Sequence, residues 1–250
     1  MVATVQLVFG CAGARTMALA PLSGADERAA PGAVGLLRRL ALPGEGWVHG
    51  AAIDRLTVGD RDRALATLYG QLYGDGVLAD AVCSDCRANY EIRFSLLELA
   101  RSRQPDGSAQ GDPPAVRIGD SHVRLPVLSD LCSSLERVLA QLTLEGPVPD
   151  ADTAAAALES ADPALELDLT GTCPECDATQ ATPFSIARFL EASLQRDRTF
   201  LAREVHLLAA SYHWSLDAIL GLSRNERQAY AQLLIAERGA GLSAAREALP

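Results

Sequence analysis

The chain has 250 residues, 48% of them hydrophobic and 22% charged, enough apolar material for a large core and too much for a disordered chain. Its 22 basic residues, all arginine, stand against 32 acidic ones, a net charge of -10, so attraction to a nucleic-acid backbone is not expected. No apolar run approaches the ~20 residues that cross a bilayer, and the apolar stretch at 5–12 lacks the basic lead of a secretory signal, so no membrane partner is expected and the expected compartment is the cytoplasm.

Residues 1–45 hold small residues, proline and glycine around one short helical patch near 33–42, and read as a loosely ordered arm. Thr57-Val58-Gly59-Asp60 is a capping-box variant that predicts a helix, with Leu65, Leu68, Tyr69 and Leu72 on one stripe ending near Gly74. Segments 77–82 and 90–94 read as strands flanking Cys83-Ser84-Asp85-Cys86, since Tyr90, Ile92 and Phe94 alternate with Glu91 and Arg93. Residues 102–114 read as a flexible surface loop. A hairpin is expected over 116–118 and 122–125. After it come a helix capped by Ser129 and carrying Leu131, Leu135, Val138, Leu139 and Leu142, and a second helix over 152–160.

Leu165, Leu167 and Leu169 alternate with Glu166 and Asp168 in a strand that leads into Cys173-Pro174-Glu175-Cys176 and a short partner ending near Phe184. The remainder is helical. One long pattern runs from Ser185 to about Tyr212, and Trp214 and Ile219 then form a hydrophobic staple around Ser215. The capping box Ser223-Arg224-Asn225-Glu226 opens a last helix, with Tyr230, Leu233 and Leu234 on its buried side and a stop at Gly239. The expected fold class is α+β: zinc-ribbon-like β-hairpins joined by an insertion, flanked by helices, closing on a three-helix segment. The expected divisions are 1–45, 46–184 and 185–250.

A Cys-x-x-Cys turn delivers two thiolates from one tight loop, and two such turns supply four tetrahedral ligands. Cys83, Cys86, Cys173 and Cys176 are therefore the candidate ligands of a structural zinc, although 86 residues separate the pairs, where a spacing of roughly 15 to 20 is usual. The intervening segment would return as an insertion. Two alternatives stay open: a thiol-exchange pair, which would want a strand-to-helix context and not the strand-to-strand one found here, and a ribbon without its metal. Arg87 and Asp177 follow the pairs where glycine most easily takes left-handed backbone. Cys11 and Cys132 read as small buried or incidental residues.

Four thiolates leave no vacancy for a catalytic water, and the sequence holds no Gly-rich phosphate loop and no Gly-x-Ser-x-Gly elbow. His206 and His213 share a helix face without a metalloprotease pattern around them. No catalytic residue is assigned, and no enzyme is expected. From 145 to 177 there are nine acidic residues and no basic one, which fits a basic partner surface or a solvated face equally.

Leu56-Thr57-Val58-Gly59-Asp60-Arg61-Asp62-Arg63, followed by a leucine-rich helix and a Cys-x-x-Cys hairpin, resembles the front half of the phage-tail proteins grouped as baseplate hub assembly chaperones. Val123-Arg124-Leu125-Pro126 with Ser129-Asp130-Leu131 is similar to their middle hairpin and helix, and Leu167-Asp168-Leu169 before Cys173-Pro174-Glu175-Cys176 to their second knuckle. The stretch Glu204-Val205-His206, Tyr212-His213-Trp214, Ile219-Leu220, Ser223-Arg224 and Arg227-Gln228-Ala229-Tyr230 is similar to their end. The resemblance covers about residues 55 to 235 in order. The first knuckle departs from it at Ser84 and Arg87, where proline and glycine are common.

Such proteins are encoded with the contractile tails of phages and related injection particles. The resemblance implies a cytoplasmic, non-enzymatic role in building the baseplate hub, with hub or spike proteins as partners. The C-terminal helices would supply the partner surface, through Tyr212, Trp214, Arg224, Arg227 and Tyr230. The alternative is a zinc-binding transcriptional regulator that sets Arg224 and Arg227 on DNA phosphates, a reading the net charge disfavours.

Overall fold

The computed structural model of the chain describes residues 2–130 and 135–247, and the backbone alone at 135, 136 and 238–247. The architecture is α+β, with nine strands in four small antiparallel sheets and nine α-helices among the described residues. Strand β1 (Ala3–Cys11) pairs with β2 (Ala14–Leu19) across Ala12 and Gly13, whose φ angles of 50° and 80° are the left-handed pair a two-residue hairpin needs. Ala3, Val5 and Leu7 point inward while Thr4 and Gln6 face solvent. Helices α1 (Gly24–Ala29) and α2 (Gly32–Leu40) follow, α2 burying Ala33, Leu36, Leu37 and Leu40.

These residues lie in the main core, so the expectation of a loosely ordered arm over 1–45 is corrected. The alternation at 3–7 is a strand pattern of period two, and it binds the segment to α3 (Val58–Tyr73) through Ala64, Leu65, Leu68 and Tyr69. Thr57 caps α3 and Gly74 ends it. The acidic side chains of the first turns of α3 form a clasp. Asp60, wholly buried, accepts the backbone amides of Val8, Phe9 and Gly10 at 2.7, 2.9 and 2.8 Å, where β1 bulges away from β2. Asp62 pairs with Arg61 and accepts the amide of Leu165 at 2.8 Å. Asp162 accepts the amide of Gly59 at 2.8 Å and faces Arg63. Burial is the main cause that raises the carboxyls of Asp62 and Asp162 above their usual range.

After α3 come β3 (Gly76–Val82), β4 (Asn89–Ser95) and α4 (Leu96–Ser102). The inserted unit then builds a three-stranded sheet from β5 (Ala115–Ile118), β6 (Ser121–Arg124) and β7 (Thr143–Glu145), covered by α5 (Leu135–Leu142) and α6 (Ala151–Ala161). It has a core of its own around Val116, Val123, Leu125, Leu139, Leu142 and Leu158. Strand β7 escapes sequence reading because three residues carry no period. Leu131 and Cys132 lie outside the described residues.

The second hairpin, β8 (Glu166–Thr172) and β9 (Thr179–Ser185), leads into the C-terminal helices α7 (Ile186–Tyr212), α8 (Leu216–Gly221) and α9 (Arg224–Glu247). Ser215 caps α8, and Ser223 with Glu226 forms the expected capping box at α9. Two expectations for α9 are corrected. The helix runs past Gly239, and it is rotated so that Ala231 and Leu234 are buried while Leu233 faces outward.

Candidate metal centre

Each Cys-x-x-Cys turn sits at the tip of a hairpin whose two strands are paired along seven residues. In the first, the Cys83 amide donates to the Ala88 carbonyl at 2.9 Å and the Arg87 amide to the Cys83 carbonyl at 3.1 Å. In the second, Cys173 donates to Ala178 at 2.9 Å and Asp177 to Cys173 at 3.0 Å. The turn closes only if the residue after the second cysteine is left-handed, and Arg87 and Asp177 take φ angles of 65° and 58°. Arg87 accepts that backbone in place of glycine, and the two knuckles have matching backbone hydrogen bonds.

The hairpins are repeats of one unit offset by 90 positions: β3 maps on β8, Cys83 and Cys86 on Cys173 and Cys176, β4 on β9, and the serine that precedes α4 on the one that precedes α7. Their contacts are those of a pseudo-twofold axis. Cys83 Sγ stands 3.6 Å from Cys176 Sγ and Cys86 Sγ 3.7 Å from Cys173 Sγ, two distances that the axis interchanges. Phe94 and its counterpart Phe184 meet edge to face at 5.1 Å.

All four sulfurs lie within 4.8 Å of one another. Sulfurs bound at about 2.3 Å to one tetrahedral ion stand about 3.8 Å apart, so the cluster has the size of a tetrathiolate cage. The same distances are far beyond the ~2.05 Å of a disulfide. Cys83 and Cys173 are buried and Cys86 and Cys176 exposed, an arrangement that the pseudo-axis preserves. Amides of Cys86 and Asp85 lower the Cys83 thiol to about 7. At Cys176 the Ala178 amide pulls down, but the neighbouring thiols outweigh it and push the group up to about 12. Four thiols this close cannot all ionise alone, and a divalent cation that displaces their protons removes the conflict.

Side chains from both hairpins lock the tips together. Gln180 Oε1 accepts the Ser84 amide at 2.8 Å, and its Nε2 donates to the Val82 carbonyl and to Tyr90 Oη, both at 2.9 Å. Gly171 lies against Ile92, where a Cβ would come within 2.9 Å of the Ile92 side chain. Sequence reasoning passed over Gln180, since nothing local marks a glutamine that bridges two distant hairpins.

The five residues assigned to a partner surface separate into two groups. Tyr212 stacks on Trp214 at 4.8 Å, and Trp214 meets Tyr230 edge-on at 5.2 Å, so the three aromatics form one cluster. Arg224 and Arg227 do not join them, which corrects their assignment. Both are buried: Arg224 pairs with Asp197 and donates to Tyr73 Oη at 3.2 Å, and Arg227 bridges Glu27 and Glu204, each at 2.6 Å. Among the described residues no helix is long and apolar enough to cross a membrane.

Comparisons with protein families, curated proteins and solved structures find no match for this chain.

Proposed function

We propose that the chain is a non-enzymatic assembly factor or structural component of the baseplate hub of a phage-like contractile tail or injection system. In this reading it acts in the cytoplasm on hub or spike proteins, with a zinc ion held by Cys83, Cys86, Cys173 and Cys176 as its structural staple. The observation that carries the staple is the closed set of four sulfurs on the pseudo-axis between two hairpins. Four thiolates complete a tetrahedral shell, so the ion fixes the fold and has no open position for a substrate. The assembly role rests on the ordered resemblance over residues 55 to 235, and the half-buried aromatic cluster of the C-terminal helices, with Tyr230 at its exposed edge, is consistent with it.

Co-expression with hub and spike subunits tests the role: the chain is expected to co-purify with one of them in defined stoichiometry, and a protein that elutes alone from such lysates refutes it. Elemental analysis of protein made under reducing conditions is expected to return one zinc per chain. The regulator alternative loses the residues that carried it, because Arg224 and Arg227 are spent on internal carboxylates.

A further inference from the structure

We propose that the outer face of α9, with the aromatic cluster at its start, docks an amphipathic helix of another protein that carries arginine or lysine beside an apolar seam. The inference rests on the reading of the chain as an assembly factor and names the chemistry of its partner. The buried side of α9 is made by Arg224, Arg227, Ala231 and Leu234. A second row, Ala229, Tyr230, Leu233 and Ala236, follows helical spacing on the side turned to solvent, with Tyr230 38% and Leu233 55% exposed. An apolar seam of that spacing is what a facing helix packs against. Tyr230 touches Trp214, which stacks on Tyr212, so the row begins at rings held in place by one another. Rigid aromatic anchors of this kind contribute most of the energy of many interfaces.

Charge selects the occupant. Glu226 stands four residues before Tyr230 and Glu237 four after Leu233, both exposed and on the same face, and Asp217 in the first turn of α8 is exposed as well. Among the described side chains of α9 the arginines, Arg224 and Arg227, point inward and are held by Asp197, Glu27 and Glu204. Two copies of this face meet like charges either way: antiparallel docking sets Glu226 against Glu237, and parallel docking sets each against itself. A partner helix with basic flanks pairs with Glu237 and with Glu226, whose Oε2 already accepts the Ser223 amide and hydroxyl while its negative charge stays exposed, and the net charge of -10 favours its approach.

The test uses the full metal-loaded chain and two synthetic amphipathic peptides of about 18 residues with one leucine seam, one flanked by arginine and one by glutamate, titrated by calorimetry. The arginine peptide is expected to bind and the glutamate peptide not. Leu233→Glu is expected to weaken binding about tenfold or more, and Glu226→Gln with Glu237→Gln to weaken it about threefold and flatten its salt dependence. All three positions are exposed, and unchanged thermal unfolding confirms that the variants fold. Equal binding of both peptides, binding of neither, or a concentration-dependent dimer abolished by Leu233→Glu overturns the proposal. The two readings fail separately. If hub subunits bind and Leu233→Glu leaves that binding intact, this face is wrong and the assembly role stands. If the arginine peptide binds through Leu233 and no hub subunit does, this face stands and the assembly role falls.

Discussion

Replacing Cys86 by serine and, separately, Cys176 by serine tests the tetrathiolate and its axis at once. Structural zinc sites bind with about 10–16 kcal/mol of apparent free energy, so one thiolate of four accounts for about 2.5–4 kcal/mol, or a metal affinity weaker by about 10²- to 10³-fold. Because the pseudo-axis exchanges Cys86 with Cys176, and the sulfur pairs it interchanges are 3.6 and 3.7 Å apart, the two losses are expected to agree within a few-fold. Cys83→Ser and Cys173→Ser form the second equivalent pair and should cost more, since both positions are buried and a hydroxyl left there without its ion adds about 1–3 kcal/mol. Competition against a chromophoric chelator measures the affinities. X-ray absorption checks the shell, with four sulfurs near about 2.3 Å expected in the native protein and three in each variant. At metal levels that saturate native and variant sites alike, linkage carries a loss of this size into about 2.5–4 kcal/mol of folding stability. A Cys86→Ser protein that keeps native affinity while Cys176→Ser loses it would refute the shared cage and the axis together.

Asp60→Ala strands three backbone amides at the β1 bulge and is expected to cost about 3–5 kcal/mol, with hydrogen exchange accelerated at Val8, Phe9 and Gly10; unchanged protection there counts against the clasp. Two glycines of α3 should respond with opposite signs. Gly59→Ala drives a Cβ to 2.1 Å from Asp162 Oδ1 and is expected to destabilise by about 2 kcal/mol or more, whereas Gly70→Ala meets nothing within 4 Å and should stabilise by about 0.5–1 kcal/mol, both read from denaturant midpoints. Hydrogen bonds from Arg124 hold the Asp130 carboxyl below its usual range. A depressed carboxylate contributes stability above its unfolded value of 3.8 and loses it as pH falls through the depressed value. Asp130→Asn should therefore cost about 1–2 kcal/mol at neutral pH, and the gap to the native protein should close in stronger acid; a gap that persists unchanged to about pH 2 refutes the pairing.

Patterns confined to a few neighbouring residues are legible in the sequence alone. Alternation around each cysteine pair marks the hairpins, Thr57, Ser215 and Ser223 mark three helix starts, and the paired Cys-x-x-Cys spacing marks the cage. What was missed depends on distant residues. The capping box at Ser223 says where α9 begins and leaves open which side is buried, a matter settled by Glu27, 200 positions away from Arg227. Basic side chains near a helix start therefore read as surface ligands when they are internal counter-ions. The N-terminal segment is opaque to sequence reading for another reason: its small residues and glycines resemble a linker in composition, while the decisive signal, Ala3, Val5 and Leu7 facing α3, is only three residues long.

The long gap between the cysteine pairs costs the ribbon little. Loop-closure cost grows with the logarithm of length, so 86 residues between the pairs add only about 1.4 kcal/mol over a usual spacing of roughly 18. Even that overstates the penalty, because the inserted unit has its own core around Val123, Leu139 and Leu158 and does not behave as a free loop. The chain leaving it is also pinned to α3 without the metal, by Asp62 at Leu165 and Asp162 at Gly59. The hairpins, by contrast, are separate two-stranded sheets, a form marginal by itself in water. Their tips share a small apolar cluster of Ala81, Tyr90, Ile92 and the buried cysteines. The fold thus brings the cysteine pairs together at low cost and leaves their tips with little core to hold them, which is the point where the proposed ion would act.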